Sequence, residues 1–471
     1  MSETLPTETH HRPSKPPEAW EPLLRFARLA ARPLERFLRI QAASGLLLLL
    51  AAGAAMVWAT VAWSSYAALW HTPLGVRVGA WSFERSLEWV VNDGLMAIFF
   101  FVVGLEIRRE VHHGELSDWR RAALPAAAAV GGMVAPAGLY LLVAGAPPTR
   151  SGWGVPMATD IAFALGILAL LGKRVPAALR VLLLALAVID DLGAIIVIAV
   201  FYSSGIAPVG LAVAGAGFIG ILVMQRLGVR SKLAYVVPGV VAWAGVYAAG
   251  IHPTIAGVII GLMTPVRAWL GTDGFVAGVQ TQLDQLTHAG TAHVSSHELA
   301  STLREVDAAR REAMSPVESL IESLHPWVAF AIMPIFALAN AGVTVSVGAM
   351  DEHAWRVAIG AFLGLLVGKP VGILLVCGAM VRARVATLPA GIGTRQLVVL
   401  GVVAGIGFTM ALFIAQLAVA DARLLAAAKV GVLAASVGAG GLGLALRRIL
   451  LAGPAGGAAE TADEAEASTE Q

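Results

Sequence analysis

The chain has 471 residues, of which 58% are hydrophobic and 14% charged, whereas a soluble globular protein is about a quarter charged. With a mean hydropathy of +0.77 it reads as a polytopic membrane protein, and a net charge of +2 gives no reason to expect nucleic acid as a partner. Its one cysteine, Cys377, excludes a disulfide framework and a cysteine zinc site.

Residues 1–40 are polar, Pro-containing and Arg-rich, with no short apolar core ahead of a cleavage site. They read as a basic cytoplasmic extension, with an amphipathic surface helix from Trp20 to Arg39. Apolar stretches then fall at about 44–64, 87–107, 122–144, 153–171, 177–201, 207–225, 233–250 and 252–266. After a polar insert they resume at about 326–343, 355–380, 396–418 and 424–446. The expected fold is an all-α integral membrane protein of about 12 transmembrane helices. The seventh and eighth stretches part only around Gly250–Pro253, so hydropathy alone leaves eleven or thirteen open. The domain reading is an extension at 1–40, spans one to eight at 41–267, a cytoplasmic insert at 268–314, spans nine to twelve at 315–450, and a tail at 451–471. The insert carries helix-like sequence such as SSHELASTLREVDAARREAM; its HELAS lacks the second His of a zinc-protease helix and reads as a helix start. The tail is acidic, has no bulky apolar residues, and is expected to be disordered. With twelve spans, 26 Lys and Arg fall on the side of the termini and five on the other. The positive-inside rule therefore predicts that both termini are cytoplasmic.

The fifth span poses the central question. Val181–Tyr202 is 22 residues, a helix of roughly 33 Å, and its only charges are Asp190 and Asp191 near the middle. One Asp at the bilayer centre costs about 2.5–3.5 kcal/mol on insertion scales. Asp160 in the fourth span and Lys369 in the tenth are buried charges of the same kind. One Asp with Lys369 could be a structural ion pair, but that leaves a carboxylate over. Successive helix residues point about 100° apart, so the two aspartates take different partners, and the spare one must face water or bind a cation. The remaining span charges have plainer readings. Lys429 can snorkel to the interface, Asp93 beside Asn92 suits an interfacial or packing role, and Glu106 and Glu110 among Arg108 and Arg109 suit a solvated helix end or a regulatory site.

The fourth span holds Gly154, Pro156, Thr159, Asp160 and Gly166; the eleventh reads GVVAGIGFTMALF. Interrupted segments in the middle of spans 3–5 and of spans 10–12 point to two inverted-topology repeats, two discontinuous helices (spans 4 and 11) and a midplane site. Half-helix ends carry roughly half a charge each, so converging N-termini would suit Asp160 and converging C-termini Lys369.

NDGLMAIFFFVVGLEIRRE, ATDIAFALG, IDDLGAI, GKPVGI, HPWVAFAIMPIFALANAGV and GIGFTMALFIA together resemble the NhaA family of bacterial sodium/proton antiporters, from about residue 40 to 450 apart from the insert. The resemblance implies a secondary transporter and not an enzyme. It would export Na+ and Li+ for H+ by alternating access, electrogenically, and regulate cytoplasmic pH and sodium. It also implies residence in the bacterial inner membrane, a tendency to dimerise, and no cofactor beyond the transported ions. In that family the fourth and eleventh helices cross as extended chains beside paired aspartates. Asp191 matches the principal ion ligand, and Asp190 a carboxylate that joins in binding or pairs with the lysine matching Lys369. Thr159 and Asp160 match the crossing. Asp190 and Asp191 would then serve as ligands of transported Na+, and a second proton on Asp190 or Lys369 would make exchange electrogenic.

Glu106, Glu110 and His252 match family positions tied to pH response. The chain departs from the family before the ninth span: SPVESLIESLHPW has Ile321 where the family typically carries an acid, with Glu318 and Glu322 to either side. Rival readings fit less well. An intramembrane aspartyl protease needs YD and GxGD strings, and a prenyltransferase a DDxxD motif; neither occurs. A sodium-coupled symporter of an organic solute shares the fold class, but its electroneutral relatives typically lose the lysine at Lys369.

Overall fold

Uninterrupted runs of Leu, Val, Ile and Ala can satisfy their backbone polar groups in lipid only within the segment, so the apolar stretches become helices. The structure, a computed structural model, describes residues 41–450 apart from 80, 173–174, 204, 269, 289–295, 345–349 and 390. The extension 1–40, the tail 451–471 and the pair Lys173 and Arg174 lie outside the described residues.

The chain enters through α1 (Gln41–Val61) and the short α2 (Trp63–Trp70). A hairpin follows, β1 (Pro73–Val78) paired antiparallel with β2 (Trp81–Ser86) from Pro73↔Ser86 to Val78↔Trp81. This hairpin, which the sequence reading did not anticipate, is the one sheet among the described residues of an otherwise helical chain. Gly79 turns the chain at φ +62°, a conformation glycine adopts without strain, and Arg85 ties the hairpin to the Tyr247 hydroxyl at 2.7 Å. Next come α3 (Leu87–His113), α4 (Trp119–Ala144), a 3-10 segment (Thr149–Met157), α5 (Ile161–Leu170), α6 (Ala177–Phe201) and α7 (Pro208–Arg226). Two shorter helices, α8 (Val236–Ala248) and α9 (Thr254–Met263), precede the insert helices α10 (Gly271–His288) and α11 (Ser296–Ala313). The second half holds α12 (Pro316–Asn340), α13 (Glu352–Arg382), α14 (Thr394–Ala404), α15 (Phe408–Ala418) and α16 (Ala422–Leu450).

Among the described residues, eight helices are long and apolar enough to cross a membrane. Two further pairs, Thr149–Met157 with α5 and α14 with α15, pass together but bend by 47° at a short break. The ninth apolar stretch starts ten residues earlier than hydropathy suggests: α12 opens at Pro316, with Ser315 capping the Glu318 amide at 3.2 Å. Its amphipathic first turns, ESLIES, hide the helix start from a hydropathy window.

Small residues let the helices approach. A Cβ on Gly104 of α3 would sit 2.6 Å from the Val258 carbonyl of α9, and one on Gly261 2.6 Å from the Phe101 carbonyl. These contacts close α3 onto α9 backbone to backbone, as small residues do where lipid removes the hydrophobic drive for association. Two internal prolines shape the second half. Pro334 and Pro370 each follow a π-helical stretch, Val328–Ile332 and Gly364–Gly368. A proline ring clashes with the carbonyl four residues back, and a wider turn relieves that clash and re-aims the residues beside it. Lys369, between Gly368 and Pro370, is one of them.

Candidate ion site at the helix crossing

Ala158 and Asp160 are extended where the 3-10 segment ends and α5 begins. The break at Gly405–Gly407 lies against this one: the Asp160 amide donates to the Ile406 carbonyl at 2.7 Å. Glycine is required here by space. A Cβ on Gly405 would fall 2.5 Å from the Leu365 carbonyl, and one on Gly407 3.1 Å from the Ala158 carbonyl.

Four half-helix ends therefore meet, and the buried side chains match their polarity. Asp160 takes the N-terminal ends of both halves: it accepts from the Phe163 amide at 3.0 Å and from the Thr409 amide at 3.1 Å, and from the Thr409 hydroxyl. Lys369 takes a C-terminal end, donating to the Met157 carbonyl at the close of the 3-10 segment. The Thr159 hydroxyl shares its one proton between the Ala404 carbonyl at 2.9 Å and Asp190 Oδ2 at 2.8 Å. Lys369 Nζ lies 2.8 Å from that same Asp190 oxygen, with both side chains fully buried. Asp191 is buried alongside, and its Oδ1 has no hydrogen-bond partner; neither does Asp190 Oδ1.

Asp160, Thr159, Asp190, Asp191 and Lys369 are thus gathered at one point. The residues matched to pH response are not. Glu106 sits on α3, partly buried, within electrostatic reach of Asp191 and close to Arg109. Glu110 accepts from the Glu115 amide at 2.7 Å and staples the turn after α3. His252 is elsewhere: Nε2 is 3.4 Å from Asp93 Oδ1 and Nδ1 2.8 Å from the Thr254 hydroxyl. Glu322 is exposed on α12 and faces Lys232. Ile321, in place of an acid, packs with Leu105 and Val317 in a small apolar cluster. Lys429 does not reach solvent as a snorkelling side chain would; it is 8% exposed, with Glu88 in electrostatic reach.

Sequence reading missed Thr409 and Ser436. The Ser436 hydroxyl accepts from the Phe408 amide at 3.1 Å, holding the second half-helix start. The available signal was a lone hydroxyl two residues after Gly407 in a wholly apolar run.

Among the described residues no group of three His, Cys, Asp or Glu side chains is placed to hold a metal ion. A helical membrane chain whose two bent segments meet around buried, partly unpaired charges has the architecture of a transporter. The family model described as Na+/H+ antiporter 1 matches residues 35–446. A Myxococcus xanthus protein named Na(+)/H(+) antiporter NhaA 2 is 69% identical over 456 residues, 96% of this chain and 97% of its own. A Sorangium cellulosum protein of the same name is 54% identical, with 97% and 98% covered. The Bordetella petrii Na(+)/H(+) antiporter NhaA is 46% identical, with 93% and 96% covered. The chain belongs to the Na+/H+ antiporter 1 family.

Proposed function

We propose that this chain exchanges Na+ for H+ at the crossing, with Asp191 as the principal cation ligand and Li+ accepted as a smaller hard ion. The observation that carries the reading is the unpaired, buried Asp191 oxygen beside an already paired Asp190. Both carboxylates keep an unpartnered Oδ1, but Asp190 Oδ2 is held by the Lys369 ammonium and the Thr159 hydroxyl, whereas no cationic side chain pairs with Asp191 among the described residues. A hard cation wants oxygen ligands, and the second carboxylate, the Thr159 hydroxyl and the carbonyls at the breaks supply the chemistry. A buried carboxylate without a counter-charge is costly, so it holds either a proton or a cation.

Obligatory exchange follows if only the occupied site switches between faces. Moving more protons than Na+ per cycle makes it electrogenic, and the Asp190–Lys369 pair is the second proton-carrying element: cation entry loosens the pair, and its proton leaves with that of Asp191. The carboxylates and Lys369 then titrate as a coupled set.

The remaining architecture is read the same way. Twelve spans result if each bent pair counts once and α8 and α9 each cross. In both halves the first and third spans pack together around a bent second, α4 with α6 and α13 with α16, which supports inverted repeats at spans 3–5 and 10–12. The cation asymmetry supports cytoplasmic termini in a bacterial inner membrane, where export of Na+ would regulate cytoplasmic sodium and pH. Glu106, within electrostatic reach of Asp191, is the strongest of the pH-response candidates; Glu110, Glu322 and His252 would act through neighbouring elements. A homodimer would follow family habit. Lys369 in contact with Asp190 weighs against the electroneutral symport alternative.

Everted vesicles test the reading. Na+ or Li+ added to vesicles holding a preformed pH gradient should collapse it without an organic solute. Asp191→Asn should remove the response, and exchange undiminished in that variant would refute the ligand assignment.

A further inference from the structure

At the end of α15 remote from the crossing, a second polar cluster is built from side chains that the exchange site does not use. Gln416 Nε2 donates to Glu88 Oε1 at 2.9 Å, while Gln416 Oε1 is buried with no hydrogen-bond partner. The other oxygen of Glu88 lies 3.8 Å from His71 Nδ1, and the Glu88 side chain remains 23% exposed, so the cluster communicates with the surface. Lys429 of α16 and Tyr66 of α2 are the further titratable groups within reach of Glu88. Glu88 follows the hairpin by two residues, which places the cluster on the hairpin face.

Helix geometry connects the cluster to the crossing. Gln416 stands seven residues beyond Thr409, two turns and about 10 Å along α15, on the same stripe. Phe413 stands between them on that stripe, its ring 5.3 Å from Phe100, 6.1 Å from Phe336 and 5.4 Å from His252. One face of α15 therefore presents the Gln416 amide against the Glu88 carboxylate of α3 near the surface, then Phe413 beside the His252–Asp93 pair, then Thr409 on Asp160. A glutamine that only tied α3 to α15 would be expected to satisfy both its ends. An amide oxygen left open beside a carboxylate is instead suited to a weakly held hard cation, and the ammonium of Lys429 keeps the hold weak enough for release.

We propose that Glu88 and Gln416 form a station for monovalent cations on the hairpin face, from which Na+ passes Phe413 to and from the crossing. This rests on the exchange reading above. The test is the half-saturating Na+ concentration measured separately from each face in proteoliposomes of uniform orientation. Glu88→Gln should raise it about fivefold from the hairpin face, the effect of losing one modest charge-assisted contact. The value from the opposite face and the maximal rate should stay within about twofold of the unmodified protein. Gln416→Leu should shift it in the same direction, and Glu88→Asp, which keeps the charge, should shift it less; either serves if Glu88→Gln fails to fold. No shift, or one equal from both faces, overturns the proposal. Absence of exchange in the unmodified protein would overturn the exchange reading, and the station with it.

Discussion

Asp190 and Asp191 are one peptide unit and about 100° apart on α6, and that angle decides their chemistry. Asp190 meets Lys369 and Thr159 through one oxygen, while Asp191 has no cationic partner among the described residues. Removing a partner from a buried ion pair leaves an uncompensated charge and costs about 3–5 kcal/mol. Lys369→Met should therefore lower the thermal midpoint of the purified protein sharply, and the double change with Asp190→Asn should recover most of the loss. A double variant no more stable than Lys369→Met alone would mean that the pair is not what Lys369 stabilises. Asp160 acts differently, as a cap on two half-helices at once. Each lost cap costs about 1 kcal/mol, so Asp160→Ala should destabilise by roughly twice a single-cap loss, and Asp160→Asn, which still accepts hydrogen bonds, by less. Much of this set was legible in the sequence, because a charge in an apolar run is conspicuous. Thr409 and Ser436 were not, because a hydroxyl in a membrane helix commonly bonds its own backbone, and only the fold shows that these two serve neighbouring segments.

The two bent segments are legible for a related reason: Gly154, Pro156 and the Gly405–Gly407 pair interrupt runs that are otherwise helix-forming. What glycine does there was less legible. Neither Gly405 nor Gly407 adopts a positive φ; both are needed because the chains pass too closely for a Cβ. Gly405→Ala should push against the Leu365 carbonyl and separate the crossing, reducing exchange without removing any charged group. The measurement is the Na+-driven rate at matched protein levels, and a rate equal to that of the unmodified protein would show that the spacing is not critical. The hairpin Pro73–Ser86 escaped notice because its alternation, Val76–Val78 and Trp81–Glu84, runs for only three or four residues a side between two long apolar stretches. The pairing of Arg85 with Tyr247, 162 positions apart, comes from the tertiary fold.

Across the whole molecule, the apolar segments could be read from composition, but their assembly could not. The contact of α3 with α9 depends on Gly104 facing Gly261 and on Gly257 facing Ala97, a match no single segment reveals. The insert is the clearest separable part. Its helices α10 and α11 pack on each other, and Arg230 pairs with Glu312 across to the α7–α8 turn, far along the chain from the crossing. Deleting residues 271–313 with a short flexible replacement should leave Na+-driven exchange within about threefold of the intact protein, since no group at the crossing lies in the insert. Complete loss in a stably folded protein would place the insert in the transport cycle.

In the proposed exchange, cation and proton compete for one buried carboxylate set. The most direct measurement is proton release when Na+ is added to the purified, weakly buffered protein. Na+ should displace protons from the unmodified protein, and Asp191→Asn should release none. Sodium binding with no proton release, or release unchanged in Asp191→Asn, would contradict it.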